Sequence, residues 1–140
     1  MVYIDTSALV PIFIREPKTE AVLSWLEAAG ERVAISEWSL VEFASAAATK
    51  VRTGEITATF SRQVGHRLQE FAQQNCILAM PGRDEFRRAS ELVLDSNLKL
   101  RAGDALHVAI AESLGVQAFL SLDEALNASA RSVGIPVVAP

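Results

Sequence analysis

Cysteine is nearly absent from this 140-residue chain: Cys76 stands alone, so no disulfide forms within it. Cys76 opens an apolar stretch with no base nearby, and a nucleophilic role is not expected. Histidine is scarce too, with two residues, so a structural zinc site built from Cys and His is not expected. No run of ~18 apolar residues exists, and no membrane span is expected. The opening Met1-Val2-Tyr3-Ile4-Asp5 has no basic lead and carries an acid at its fifth position, unlike a signal peptide. Together these absences point to the cytoplasm. There is no Gly-rich phosphate loop and no Gly-x-Ser-x-Gly elbow. Lysine is sparse at three residues against ten arginines, and the formal net charge is −4. Whole-molecule attraction therefore does not deliver a polyanion, although local arginine forks can hold phosphate oxygens.

Half of the residues are hydrophobic, enough for the core of one domain spanning residues 1–140. Short apolar runs alternate with helical periodicity. Strands are expected at Val2–Asp5, Val33–Ser36, Cys76–Met80 and Gln117–Leu122, with a proline-bearing edge strand at Pro136–Ala139. Helices are expected over Thr6–Ile14, from Pro17 to a stop at Gly30, over Glu37–Thr53, and from about Ile56 to Asn75. Three more follow, over Asp84–Ser96, Gly103–Leu114 and Asp123–Val133. On the Asp84–Ser96 helix, Phe86, Ala89 and Val93 are expected to face inward. No strand fits between the two long helices, so they form a helical hairpin. Its Phe60, Val64, Leu68 and Phe71 make one apolar stripe. Strands alternating with helices imply an α/β fold with a parallel sheet covered on both faces.

Four of the seventeen acidic residues stand among apolar neighbours. Asp5 follows Val2-Tyr3-Ile4. Glu42 lies in Leu40-Val41-Glu42-Phe43-Ala44. Asp104 precedes Ala105-Leu106-His107-Val108. Asp123 follows Phe119-Leu120-Ser121-Leu122. A carboxylate in such company costs several kcal/mol unless something compensates it. Each also has a plainer use. Asp5, Asp104 and Asp123 sit where helix caps sit, and Ser39 and Glu42 have capping-box spacing. Their joint placement is the signal. Strand ends of a parallel sheet line up along one edge, where ligands bind. Carboxylates gathered there repel, and no lysine lies within four residues of any of them. A hard divalent cation, Mg²⁺ or Mn²⁺, resolves that conflict through oxygen ligands. His107 shares a helical face with Asp104, and a satisfied structural histidine is the simpler reading of it. His66 reads as solvated, and Trp25 and Trp38 as core.

The segments Tyr3-Ile4-Asp5-Thr6-Ser7-Ala8-Leu9, Ser36-Glu37-Trp38-Ser39-Leu40-Val41-Glu42, Ala102-Gly103-Asp104-Ala105-Leu106-His107-Val108-Ala109 and Leu120-Ser121-Leu122-Asp123 together resemble the motifs of PIN domains. The likeness is to VapC-type toxins of toxin–antitoxin pairs. In the fourth motif the family often has threonine two residues before the acid, where Ser121 stands here. The resemblance implies a three-layer α/β/α fold, a homodimer, and metal-dependent endoribonuclease activity. It also implies a cognate antitoxin that inserts a segment near the site. Under this reading Asp5 and Asp104 are the principal metal ligands and Glu42 and Asp123 complete the cluster. Thr6 and Ser121 orient carboxylates. The apolar surface of the hairpin is expected to form part of the antitoxin's docking surface. Two alternatives stay open: a metal- or RNA-binding scaffold that does not cleave, and a haloacid-dehalogenase-type phosphatase. The phosphatase normally has a second acid two residues after the first, where this chain has Ser7.

Overall fold

The alternating pattern folds as read. A computed structural model describes residues 1–140. The elements run β1 (Val2–Ile4), α1 (Thr6–Phe13), α2 (Thr19–Ala29), β2 (Val33–Ser36), α3 (Glu37–Arg52) and α4 (Ala58–Gln74). They continue with β3 (Ile77–Ala79), α5 (Arg83–Leu94), α6 (Ala102–Leu114), β4 (Ala118–Leu120), α7 (Glu124–Ser132) and β5 (Val137–Val138). The five strands form one sheet in the order β3-β2-β1-β4-β5, and every pairing is parallel. The proline-flanked β5 lies at an edge, where a missing N–H costs no ladder bond.

Strand alternation sorts the core into two halves. Val2, Ile4, Ile35 and Leu120 face α1, α3 and α4. Tyr3, Ala34 and Phe119 face α5, α6 and α7. This is the three-layer arrangement, with β1 at the centre. Helix α6 runs through it: Ala105 to Ala111 are all buried, so the helix is apolar on nearly every side. Its end is set by Gly115 at φ +58, a left-handed turn that L side chains rarely adopt. The hairpin of α3 and α4 packs on the other face, where Phe43, Val64 and Leu68 are buried.

Two expectations need correction. Phe86 and Val93 do not face inward: they are 55% and 41% exposed, and Ala89 and Leu92 make the inner face of α5 instead. The helix is one residue out of phase with the simplest spacing. The apolar surface of the hairpin is also largely consumed within the chain, with Val41 its one well-exposed large hydrophobic. The surplus lies around α5, where Met80, Phe86, Val93 and Leu94 stand in solvent.

Burial in α6 should dominate stability. Ile110→Ala, at a position 2% exposed, is expected to cost ~2–5 kcal/mol. Leu94→Ala, at a position 84% exposed, should cost less than ~0.5 kcal/mol. Urea denaturation followed by circular dichroism measures both.

Candidate active site

Parallel strands all end at the same edge, and that geometry brings the four acids to one place. Asp5 follows β1 directly and caps α1, its side chain accepting from the Ala8 N–H. Asp123 follows β4 and caps α7, accepting from the N–H groups of Ala125 and Leu126. Glu42 sits in the second turn of α3, whose cap is Ser36. Asp104 is the third residue of α6 rather than its cap, which is Arg101. All four line one open cleft of about 510 Å³, together with Thr6, Ser7, Thr49, Lys50 and Glu55.

The two cap aspartates thus combine a structural bond with a place in the cleft. Asp5 is 4% exposed. Burial raises its pKa above the usual carboxylate range, against the pull of His107, the Ser7 hydroxyl and the Ala8 N–H. Asp104 is also raised, first by burial and then by repulsion from Asp123 and Glu42. Glu42 goes the other way. Burial alone would raise it, but hydrogen bonds from His107 and Thr6, and the charge of His107, hold it below the ordinary value. The Trp38 indole lowers it further, although the buried N–H does not reach hydrogen-bond geometry.

Hydroxyls tie the site together. Thr6 donates to Glu42 Oε2 at 2.6 Å. Ser121 touches no carboxylate: its hydroxyl accepts from the Asp123 N–H and lies 3.2 Å from the Ser7 hydroxyl. The hydroxyl on Asp5 is that of Ser7, donating to Oδ1 at 2.7 Å. Sequence reasoning passed over Ser7, yet its place two residues beyond Asp5 was a usable sign. It also passed over Lys50, two helical turns beyond Glu42 on the same face of α3. That ammonium is the cleft's one cation, paired with Glu16 at 2.7 Å and Glu55 at 3.0 Å. His107 is 1% exposed, and its two nitrogens reach Tyr3 and Glu42. It is a satisfied histidine, and it is also bonded to the site.

As the side chains stand, no three His, Cys, Asp or Glu residues converge closely enough to hold a metal among them. The donor set still fits a hard cation. It is all oxygen, and Asp104 is held above its usual pKa by burial and then by other acids of the cleft. Mg²⁺ commonly keeps several waters and takes one or two carboxylates, so a dense protein cage is not required. Cys76, pushed by burial to about 11, is not a thiolate ligand.

Known proteins share this fold. The sequence model of the PIN domain matches residues 2–131, and the chain belongs to the PIN domain family. Ribonuclease VapC46 of Mycobacterium tuberculosis is 26% identical over 141 aligned residues, covering 99% of this chain and 97% of its own. Among solved structures, the fold is similar to Mycobacterium tuberculosis VapC20, a Sarcin-Ricin loop cleaving toxin. The TM-score is 0.75 at 16% identity, and both chains are fully covered. A toxin–antitoxin complex from Klebsiella pneumoniae is similar as well, with TM-score 0.71, 21% identity, and coverage of 100% and 98%.

The opposed shifts make a stability test. Asp104 keeps its proton to higher pH in the fold than in the unfolded chain. Stability therefore falls as pH rises through that interval and stays lower above it. Without metal at pH 7, Asp104→Asn is expected to raise the unfolding midpoint by ~1–3 °C, a small gain because the group is half-buried and solvent screens it. At pH 3 the gain should vanish. Glu42→Ala should instead destabilise, by ~1–3 kcal/mol, because it strands the Thr6 and His107 donors. Thermal scans in EDTA at both pH values check the pair.

Proposed function

We propose that this chain is a divalent-metal-dependent endoribonuclease, the toxin of a toxin–antitoxin pair, acting as a single PIN domain over residues 1–140. The observation that carries the reading is the composition of the cleft: five carboxylates, of Asp5, Glu42, Glu55, Asp104 and Asp123, face one ammonium, already paired. A phosphodiester does not enter such a field unaided. A bound cation makes the cleft attractive to the same substrate.

Asp5 and Asp104 are the principal ligands in this reading, with Glu42 and Asp123 completing the site directly or through water. When bound, Mg²⁺ or Mn²⁺ supplies an acidified water and offsets charge on the phosphate. The chain's own residues do the rest. Ser7 holds Asp5 in one orientation, Thr6 holds Glu42, and the α7 N-terminus holds Asp123. Membership of the family and the likeness to a ribonuclease and to a toxin–antitoxin complex support RNA as substrate and an antitoxin as partner. The exposed apolar residues of α5 offer surface for that partner or for a homodimer. No helix is long and apolar enough to cross a membrane, and a lone cysteine suits the cytoplasm.

The phosphatase alternative finds no support. Ser7 stands where its second acid belongs and bonds to Asp5 instead. The scaffold alternative is answered by activity. Wild type is expected to cut RNA with Mg²⁺ or Mn²⁺ and not with EDTA. Asp5→Asn should lose at least ~100-fold in cleavage while keeping its circular dichroism spectrum. A folded Asp5→Asn protein with near-normal cleavage overturns the assignment. Parallel reactions on single-stranded DNA and on a phosphomonoester test the other substrates.

A further inference from the structure

We propose that His107 is a positioning residue of this centre, fixing the Glu42 carboxylate at the wall of the cleft. The proposal rests on the nuclease reading above. Three bonds carry it. His107 Nε2 lies 2.7 Å from Glu42 Oε2. His107 Nδ1 lies 2.8 Å from the Tyr3 hydroxyl. That hydroxyl also lies 2.9 Å from Ser36 Oγ, and Ser36 is itself the cap of α3, locked to Ser39.

Counting hydrogens settles the direction. The Glu42 carboxylate only accepts, and the single hydrogen of Thr6 is spent on the same Oε2. The hydrogen between His107 and Glu42 therefore sits on Nε2, whichever way the Tyr3 hydroxyl turns. The other side of the carboxylate is also fitted. A Cβ at Gly103 would stand 2.7 Å from Glu42 Oε1 and 3.3 Å from the Trp38 ring. The glycine leaves room that a side chain would take.

The clamp spans the three elements that carry three of the acids. Tyr3 lies on β1, two residues before Asp5. Glu42 lies on α3. His107 lies on α6, one helical turn after Asp104. A short bond from α6 to α3, braced from β1, sets where those carboxylates stand relative to each other. An apolar residue would fill the same space without needing either bond. His107 and Tyr3 are both essentially unexposed, so solvent cannot replace either bond.

The test compares His107→Leu, His107→Gln and Tyr3→Phe with the parent protein. Two quantities are read: Mn²⁺ affinity by calorimetry, and kcat and KM on a labelled RNA. His107→Leu removes the donor and is expected to lower kcat and Mn²⁺ affinity ~10- to 100-fold, with KM within about threefold. His107→Gln keeps an N–H donor and should recover most of both losses. Tyr3→Phe should fall between. A folded His107→Leu with parental Mn²⁺ affinity and kcat overturns the proposal, and so does His107→Gln falling as far as His107→Leu. If His107→Leu does not fold, Tyr3→Phe decides, since it removes one hydroxyl and almost no volume: unchanged kcat and affinity then overturn the proposal. Asp5→Asn separates the two readings. If the parent does not cleave RNA with Mn²⁺, the nuclease reading fails and this proposal with it; if Asp5→Asn binds Mn²⁺ and cleaves like the parent, the assigned site fails and the proposal falls with that. If Asp5→Asn is inactive and His107→Leu is normal, the proposal alone fails.

Discussion

Like charges gathered in one partly dry cleft repel, and the rest of the site is arranged around that repulsion. Asp104 feels it directly from Asp123 and Glu42. The sheet makes the crowding unavoidable, because parallel strands deliver every loop to the same edge. What the chain adds is separate local support for each acid. Asp5 and Asp123 are tied to helix N-termini, where backbone N–H groups and the helix dipole favour negative charge. Glu42 has two side-chain donors on one oxygen. Asp104, within the first turn of α6, has the least and is the most strained by its neighbours.

That unequal support divides three of the four acids into kinds. Glu42 is stabilised as a carboxylate before any cation arrives. Asp5 and Asp104 are held toward their protonated forms and gain most from a positive charge beside them. The division is set by particular surroundings: His107 and Thr6 for Glu42, burial for Asp5, burial and then like charges for Asp104.

Much of this was legible in the sequence, for reasons that differ by element. The strands and helices could be read because apolar spacing changes cleanly between periods at Ser36, Cys76 and Gln117. The acids stood out because charge is rare in apolar runs. The inner face of α5 was misread because Phe86 and Val93 satisfy a helical stripe as well as Ala89 and Leu92 do. Only packing against α6 chooses between them. Ser121 was credited with a carboxylate that Ser7 in fact holds, since hydroxyls are common in turns and sequence does not say which one points where. Lys50 escaped because its distance from the acids in sequence hides a shared helical face with Glu42.

The apolar groove beside α5 bears on the chemistry as well as on partners. It has a volume of about 470 Å³ and is lined by Trp38, Phe86, Val93, Leu94, Gly103 and Leu106, among others. A Cβ at Gly103 would meet both Glu42 Oε1 and the Trp38 ring, so the glycine lies beside the two. One indole therefore separates an oily groove from an acidic cleft. Glu42 itself is only partly exposed, at 28% of its side chain, so its bonds to His107 and Thr6 are partly shielded from water. Surface that looks remote from the acids is one side chain away from them.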